Sequence, residues 1–509
     1  MKIISRTAAF LLLPVLVFSA FRLEEPGWQS RYVKISKDGA LTYVPDEKGN
    51  IIPDFSRVGY HQGDQPIPDV PVVKTISPAA SGDSRQMIQD AINEVARRTP
   101  DAKGFRGAIL LKKGTYLIPG TITVNAGGIV LRGEGDTPQG TRLVAAGKGQ
   151  RTLLTITGSG TLTEVRGSRV KITDPFVPVG AFSFNVTSAA GFKAGDPVVL
   201  FRPGTENWIH DLKMDQIDAR EGTKQWQPGE YDLKYERVIT KITGNKIFLD
   251  NPVVMEMETK YGGGELCKYT FAGRSAECGV ENLYFESAYA GDIDEDHGWT
   301  AVQFSKTENG WARNITSRYF GNSCVSIGGT AKYITVTDSK CLDAKSVITG
   351  SRRYSFNVDG QLNLVMNCQA TEGRHDYVTG ARVTGPNVFY NCTAKNTHAD
   401  IGPHHRWATG TLFDNIVTDG EINVQDRGKM GSGHGWSGAN QVMWNCTVAS
   451  AAVQDPWVSA RNYSIGTQGK IAPGAIPDRN KATWEGQNKK GLTPKSLYMA
   501  QLMARKGKR

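Results

Sequence analysis

A short pattern recurs along the chain with a period near 24 residues. At each recurrence an apolar or aromatic pair leads to Asn or Asp, and the successive spacings are 32, 24, 29, 24, 24 and 30 residues. Each unit contributes a short strand rich in Val, Ile, Thr and aromatic residues, and none holds a helix-length periodic stretch. Units this small bury their apolar faces only by stacking on one another. The recurring positions are Asn282, Asn314, Asp338, Asn367, Asn391, Asn415 and Asn445.

The stacked repeat predicts a parallel β-helix, an all-β fold in which strands of neighbouring coils lie about 4.8 Å apart. Equivalent Asn side chains would turn inward and hydrogen-bond along a ladder. Cys follows Asn in three of the units, and a thiol in that place packs as a small apolar group. The chain has seven cysteines, an odd number, so we expect reduced core residues rather than a disulfide framework.

An amphipathic segment precedes the repeat. Residues 84–98 carry a helical apolar pattern, and the strand-like runs "GAILLKKGTYLI", "TITV" and "IVLRGEG" follow it. This order resembles the entry of pectin-lyase-like right-handed parallel β-helix proteins, over roughly residues 75–165 and 275–460. The resemblance implies an N-terminal capping helix that covers the open first coil and protects its strand edges.

Two further regions depart from the repeat. Residues 175–260 contain hairpin-like runs around a charged and aromatic loop, and the last 45 residues lack the pattern. We therefore divide the chain into a signal peptide (1–20), an N-terminal extension (21–74), the cap and first coils (75–174), an inserted β subdomain or long loop (175–260), the main β-helix coils (261–465) and a C-terminal tail (466–509).

The N-terminus has the pattern of a secretory signal peptide. Lys2 and Arg6 precede an apolar run over residues 8–18, and the small residues Ser19 and Ala20 follow it. We therefore expect a secreted or periplasmic protein. No later segment approaches the roughly 20 apolar residues of a membrane helix, so we expect no membrane span.

The charge points to an anionic partner. The net charge is +10, and removing residues 1–20 takes away two positive charges, which leaves +8. Outside the cytoplasm an acidic polysaccharide is a better candidate than nucleic acid for a basic protein. A basic surface that serves only solubility is the alternative. We expect a monomer and no nucleic-acid partner.

Arginine occupies the same position in three consecutive units. The residues fifteen places after the third, fourth and fifth recurring positions are Arg353, Arg382 and Arg406. If this register holds in space, neighbouring guanidinium groups repel by roughly 1 kcal/mol in water. Because folding alone gives no reason to stack like charges, the row favours a polyanionic substrate held by bidentate contacts. Three solvated arginines splayed apart are the alternative.

Histidines concentrate beside this row, with six of the eight in the repeat region. In the segment "GPHHRWATG", strand alternation puts His404 on the face of Arg406 and turns His405 and Trp407 to the other face. Neighbouring coils add further candidates for substrate binding or proton transfer. These are His375, Tyr377, Arg427, Lys429, His434 and Trp436.

Arginines beside an imidazole suit β-elimination of a uronate polysaccharide, the reaction of a polysaccharide lyase. Arg382 and Arg406 would neutralise the carboxylate and acidify the C5 proton, and His404 would serve as base or acid. His375 and Tyr377 are the reserve catalytic groups. The predicted substrate-binding residues are Arg353, His405, Trp407, Arg427, Lys429, His434 and Trp436.

Calcium is the one candidate cofactor. The resemblance suggests it, since calcium often neutralises the carboxylate in pectate lyases of this fold. The segment "GDIDEDHG" offers Asp292, Asp294, Glu295 and Asp296 as hard oxygen ligands. Their spacing matches no calcium loop, so an ordinary solvated acidic loop is the alternative.

A glycoside hydrolase is the first alternative to a lyase. Polygalacturonases of this fold carry two aspartates in a segment resembling "DDCVxI", where this chain has Asn322 and Ser323 in "NSCVSI". Without those carboxylates, inverting hydrolysis lacks its acid and base at that place. Asp376, Asp400 and Asp426 keep a different carboxylate pair open.

Two other functions fit the same residues. A uronate epimerase shares the proton abstraction step with a lyase, and sequence does not separate the two. A non-catalytic polysaccharide-binding β-helix would use the arginine row with Trp407 and Trp436 as sugar platforms, and it would not need His404.

Overall fold

The computed structural model describes residues 27–79 and 82–507, and its main body is a right-handed parallel β-helix. Thirty strands join one sheet network in which successive coils pair almost entirely in parallel. The predicted all-β fold is therefore confirmed. The predicted signal peptide lies outside the described residues. Within those residues, no helix is long and apolar enough to cross a membrane.

The N-terminal extension and the first coils lead into the β-helix. Helix α1 (Arg85–Ala96) buries Ile88, Ala91, Ile92 and Val95, which are spaced as one face of a helix and pack on the first coils. The predicted capping helix is confirmed. The strands are β1 (Trp28–Gln29), β2 (Val33–Ile35), β3 (Leu41–Tyr43), β4 (Val72–Ile76), β5 (Gly107–Leu111), β6 (Gly114–Ile118), β7 (Ile122–Val124), β8 (Ile129–Arg132), β9 (Thr141–Ala145) and β10 (Arg151–Thr157), with a 3-10 turn at Tyr60–Gly63.

An inserted subdomain follows, built on a seven-stranded sheet that is antiparallel throughout. It begins and ends further out than the predicted 175–260, because its outer strands lie at 163–171 and 265–270. Its elements are β11 (Thr163–Glu164), β12 (Val170–Lys171), β13 (Phe176–Val177), β14 (Ser183–Asn185), β15 (Pro197–Arg202), α2 (Glu206–Asp211), β16 (Leu233–Thr243), β17 (Lys246–Leu249), β18 (Met257–Glu258), a 3-10 turn (Thr259–Tyr261) and β19 (Glu265–Thr270).

The main coils occupy residues 275–471. Their strands are β20 (Ser275–Ala276), β21 (Gly279–Ser287), β22 (Gly298–Ser305), β23 (Thr307–Arg318), β24 (Ser323–Ile327), β25 (Lys332–Thr337), β26 (Lys340–Leu342), β27 (Phe356–Val358), β28 (Leu364–Met366), β29 (Gln369–Thr371), β30 (Tyr377–Thr379), β31 (Asn387–Tyr390), β32 (Thr393–Lys395), β33 (Asp400–Pro403), β34 (Ala408–Thr409), β35 (Thr411–Asp414), β36 (Val417–Thr418), β37 (Glu421–Val424), β38 (Gly438–Ala439), β39 (Val442–Trp444), β40 (Thr447–Asp455), β41 (Tyr463–Ile465) and β42 (Gln468–Ile471).

The predicted C-terminal tail, 466–509, is folded as far as the structure describes it, to residue 507. Its first strand, β42, still belongs to the coils, and β43 (Asn480–Lys481), β44 (Thr483–Glu485), β45 (Leu492–Thr493) and α3 (Leu497–Arg505) follow. Strand β45 pairs in parallel with β1, and Leu497 and Tyr498 pack with residues of the N-terminal extension. The two ends of the described chain therefore close over the same side of the β-helix.

Five of the recurring Asn and Asp residues sit at turns between strands, whereas Asn282 and Asn314 lie within β21 and β23. All seven have φ between 50 and 57°, a left-handed conformation that Asn and Asp adopt more easily than other side chains. The Asn391 amide donates to Asn367 Oδ1 over 2.7 Å, and the Asn445 amide donates to Asn415 Oδ1 over 2.9 Å. The ladder exists, but the prediction that it points inward is wrong, because a left-handed turn directs Asn391 to solvent.

The cysteines lie inside, and all seven are free and buried. Burial raises the pKa of Cys446 to about 12 and that of Cys267 to about 11. Because the thiolate is the reactive form, buried thiols with raised pKa values react slowly. We expect an aromatic disulfide reagent to modify none of the seven in the native protein and all seven after unfolding without reductant. A lower count in the unfolded, unreduced chain would contradict this.

Candidate active site

The segment that holds adjacent histidines is a turn rather than a strand. Strand β33 ends at Pro403, and Arg406 and Trp407 then adopt left-handed φ values of 53° and 63°. The alternation of an extended strand therefore does not continue through this segment. His404 and His405 point into the same cluster, with ring centroids 5.0 Å apart. The prediction that they face opposite ways is wrong.

Four imidazoles from successive coils form a contiguous cluster. The ring centroid of His404 lies 4.4 Å from that of His375 and 5.2 Å from that of His434. His405 and His434 are 4.8 Å apart by the same measure. Tyr354 covers one side, 5.0 Å from His375 and 5.5 Å from His404. We call the four histidines, His375, His404, His405 and His434, the histidine cluster.

The histidine cluster holds buried ring nitrogens without partners. His375 Nδ1 donates to the carbonyl oxygen of Asp400 over 2.7 Å. Within the described residues, His375 Nε2 and the Nδ1 atoms of His404, His405 and His434 are buried and make no hydrogen bond. Buried polar atoms are nearly always paired, so several unpaired nitrogens in one place call for a ligand, a substrate or water.

Burial also keeps these imidazoles neutral. It lowers the pKa of His375 to about 4, that of His405 to about 3 and that of His434 to about 4. Burial likewise holds the pKa of His404 far below its usual value, and His375 and Arg427 add to the effect. Neutral imidazoles carry free lone pairs that can bind a cation, and an anion bound beside them would restore their affinity for a proton.

Arginines surround the histidine cluster. Arg427 is paired with Asp400, with 2.8 Å between Nη1 and Oδ2. Arg406 Nη2 donates to Ser432 Oγ over 2.7 Å. Within residues 27–79 and 82–507, Arg374, Arg382 and Arg406 form no salt bridge with a carboxylate. The site therefore has unneutralised positive charge that suits an anionic ligand.

Two of the three arginines predicted to form a row lie on adjacent coils in register, but Arg353 does not. The amide of Arg382 donates to the carbonyl of Arg406 over 2.7 Å, so these two lie on adjacent coils as predicted. Phe356 pairs with Tyr377, so Arg353 lies opposite Arg374. The coil after Asp338 carries its extra residues before β27, and this insertion shifts the register.

Arg353 has a structural role instead. Its side chain is buried, and its Nη2 donates to the Ser346 carbonyl over 2.6 Å. Its Nη1 donates to the Glu372 carbonyl over 3.2 Å. These bonds tie one long loop to the next coil. Arg374 and Tyr354, which the sequence did not select, border the histidine cluster in its place.

Three predicted aromatic site residues are enclosed. Tyr377 points into the β-helix, where its hydroxyl lies 2.7 Å from the Thr393 carbonyl oxygen, so it cannot act as a reserve base. Trp407 and Trp436 are fully buried beneath the inserted subdomain and pack with residues such as Trp208. They cannot serve as sugar platforms, because the subdomain covers their faces.

The acidic segment at 291–298 does not gather its carboxylates. Asp292 pairs with Lys345, Asp294 accepts the amides of Ala290 and Asp296, and Asp296 accepts the amide of Gly149. Among the residues that the structure describes, the one group of three metal-ligating side chains with converging atoms lies elsewhere. It comprises His375, Asp400 and His404.

Lys429 stands apart from the histidine cluster. It is exposed, and its Nζ lies 3.8 Å from Asp218 Oδ2 of the inserted subdomain. Lys429 therefore belongs to the contact between the subdomain and the coils, at the edge of the site.

The carboxylates that could support hydrolysis are already engaged. Ser355 Oγ donates to Asp376 Oδ1 over 2.7 Å, and Asp376 is 1% exposed. Arg427 holds Asp400, and Arg479 Nε lies 2.7 Å from Asp426 Oδ2. An acid and base pair for hydrolysis must reach a sugar and a water. None of these three aspartates is placed to do so.

Comparison with known proteins gives matches among solved structures alone. No protein-family model matches the chain, and no curated protein sequence matches it. A tailspike protein of E. coli bacteriophage HK620 in complex with a pentasaccharide aligns over 88% of this chain and 61% of its own, with 10% identity and a TM-score of 0.42. An alginate lyase from Paenibacillus sp. strain FPU-7 aligns over 82% of this chain and 100% of its own, with 10% identity and a TM-score of 0.40. The tailspike of Acinetobacter baumannii bacteriophage AP22 in complex with A. baumannii capsular saccharide aligns over 81% and 74%, with 11% identity and a TM-score of 0.31.

Proposed function

We propose that the protein is an enzyme that cleaves an acidic, uronate-containing polysaccharide by β-elimination. One observation supports this most strongly: neutral imidazoles with unpaired nitrogens lie beside arginines that have no carboxylate partner in the described chain. The arginines suit the carboxylate of a uronate, and the imidazoles suit proton removal from the carbon next to it.

The reaction assigns a role to each side of the site. Arg382 and Arg406 would bind the uronate carboxylate and stabilise the negative charge that develops on it, since both lie close to His405. An imidazole removes the C5 proton, the electron pair of that bond forms the C4–C5 double bond, and the C4–O bond breaks. Tyr354 would return a proton to the leaving oxygen, since burial raises its pKa and keeps the hydroxyl protonated.

His405 is the imidazole best placed to be the base. His404 is 7% exposed and has the rings of His375, His405, His434 and Tyr354 around it. His405 is half-buried, so a polymer can approach it from solvent. The base role that the sequence suggests for His404 therefore moves by one residue.

Export is a second part of the proposal. It rests on the pattern of residues 1–20 and on a substrate class found outside the cytoplasm. We expect the mature protein, recovered from the periplasm or medium, to begin close to residue 21. Mass spectrometry of its N-terminal peptide measures this, and an intact Met1 in the recovered protein would contradict it.

The assay for the reaction follows two products at once. We expect incubation with a panel of uronate polymers to raise ultraviolet absorbance, because eliminated products carry a conjugated double bond, together with new reducing ends. Neutral polysaccharides are the control and should give neither signal. Reducing ends without absorbance would indicate a hydrolase, and isotope exchange at C5 without cleavage would indicate an epimerase. Binding without any product would indicate a non-catalytic protein.

A further inference from the structure

We propose that His375, Asp400 and His404 bind a divalent transition-metal ion. One ligand atom from each of these side chains can be chosen so that all three lie within 4.8 Å of one another. Zinc in proteins sits about 2.0–2.2 Å from nitrogen and oxygen ligands, so the three atoms would draw closer when an ion binds. The residues come from two adjacent coils, with His375 just before β30 and the others on or next to β33.

Two of the three ligands are buried with a nitrogen left free. His375 is fully buried and His404 is 7% exposed. Within the described residues, His375 Nε2 and His404 Nδ1 have no hydrogen-bond partner. An unpaired buried ring nitrogen is unfavourable for folding alone. A metal ion coordinated through these two nitrogens would give each of them a partner.

The tautomer of His375 is already set for binding. Its Nδ1 donates to the Asp400 carbonyl over 2.7 Å, which leaves the lone pair on Nε2. A metal-ligating histidine usually donates its other ring nitrogen to a carbonyl or carboxylate in this way.

Asp400 would share its carboxylate between two cations. Arg427 Nη1 lies 2.8 Å from Oδ2, whereas its Nη2 lies 3.4 Å from Oδ1. The closer contact occupies Oδ2 and leaves Oδ1 as the freer oxygen. Carboxylate ligands are commonly hydrogen-bonded by a second group, and the guanidinium supplies that group here.

The donor set favours one class of metal. Imidazole nitrogen with carboxylate oxygen suits zinc and its first-row neighbours, whereas calcium takes oxygen ligands almost exclusively. His405 and His434 lie next to His404, with ring centroids at 5.0 and 5.2 Å. A water molecule or a substrate oxygen would complete the coordination of the ion. The idea that this oxygen comes from a uronate carboxylate rests on the proposed function, but metal binding itself does not.

The test uses the full mature protein stripped with a chelator and dialysed. We expect it to bind one equivalent of Zn²⁺ or Co²⁺ by calorimetry, with visible absorption from bound Co²⁺, and not to bind Ca²⁺ there. His375→Gln and His404→Gln should each weaken binding by about 100-fold or more, since outer-shell changes alone cost 10–100-fold. His398→Gln is the matched control and should bind like the wild type.

Circular dichroism and thermal unfolding of the two variants establish that each is folded. Asp400→Asn is a third variant, and it leaves the Arg427 guanidinium buried without its carboxylate partner. Because that change can unfold the protein, its metal affinity is interpreted only if the variant is folded. Absence of Zn²⁺ and Co²⁺ binding by the folded wild type would overturn the inference. So would unchanged Co²⁺ spectra and affinity in folded His375→Gln and His404→Gln.

The two proposals fail separately. If Co²⁺ binds as expected but no uronate polymer yields unsaturated sugar, the proposed function is wrong and the metal site stands. If the stripped protein cleaves the polymer and binds no metal, the metal site is wrong and the proposed function stands.

Discussion

Replacing His405 by alanine is expected to lower turnover of a uronate polymer by about 10²–10⁴-fold, the contribution typical of general acid–base catalysis. The imidazole is half-buried, and burial together with His434, Arg406 and Arg427 favours its neutral form. Alanine keeps the turn and removes the proton acceptor. The rate of ultraviolet absorbance increase at saturating polymer measures the change, which should fall on kcat more than on KM.

His398→Ala is the matched control for that variant. His398 is also a partly exposed histidine of the coils, but its Nε2 lies 2.8 Å from Glu372 Oε2, outside the histidine cluster. We expect this variant to keep wild-type turnover. If both variants turned over polymer equally well, His405 could not be the base, and His434 would be the next imidazole to replace.

The polymer affinity of His405→Ala separates two functions. A lyase that loses its base should still bind the chain, because Arg382 and Arg406 remain to hold the carboxylates. Binding measured by calorimetry on a uronate oligosaccharide should therefore be nearly unchanged while turnover is lost. A wild-type protein that binds with no turnover at all would favour the non-catalytic function.

The β-helix can be predicted from the sequence because its signals are local. One left-handed backbone position in each coil favours Asn or Asp, and the next residue, as in Cys368 and Cys392, fills the interior. These two requirements recur in every coil, and they produce the period near 24 residues in the sequence. The repeat spacing does not determine whether the Asn side chain points inward or outward, and the predicted inward direction is wrong.

The limits of the inserted subdomain are harder to predict. Its outer strands at 163–164 and 170–171 are as short as several strands of the coils, and they pair with 265–270. Sequence pattern identifies a strand but not its partner, and here the partner is antiparallel and distant in the chain. The predicted limits therefore fell inside the true ones.

The histidine cluster was found from local density, whereas the arginine register was not. Adjacent histidines in "GPHHRWATG" stand out in any sequence, and the structure brings His404, His405, His434 and His375 together. Register depends on where within a coil the extra residues fall, which spacing does not reveal. A 21-residue offset from β27 to β30 puts Arg374, not Arg382, opposite Arg353.

The prediction that Trp407 and Trp436 bind substrate is wrong, because sequence does not show which distant segment packs over a residue. Trp407 has neighbours typical of an exposed binding loop, yet Trp208 and Trp226 of the inserted subdomain, 199 and 181 residues earlier in the chain, pack on it. Only the folded chain shows that contact. Trp407 therefore matters to the site through the position it gives to the turn, not through contact with a sugar.

Replacing Trp407 by alanine is expected to lower the free energy of unfolding by about 3–5 kcal/mol, the range found for large-to-small changes of buried aromatic residues. The indole is fully buried, and its ring centroid lies 5.0 Å from that of Trp208 and 6.3 Å from that of Trp226. Its amide also donates to the Trp436 carbonyl over 2.8 Å. Urea unfolding followed by circular dichroism measures the loss.

Trp311→Ala is the control that separates stability from function. Trp311 is equally buried, but it packs against Tyr60 and Phe105 of the N-terminal region, away from the inserted subdomain. We expect a similar loss of stability with turnover retained at a temperature where the variant is folded. Trp407→Ala should lose turnover under the same conditions, because the indole adjoins Arg406 in the turn that positions His405. Retained turnover in folded Trp407→Ala would mean that the β-helix alone positions these side chains, and that the inserted subdomain contributes stability but not the geometry of the site.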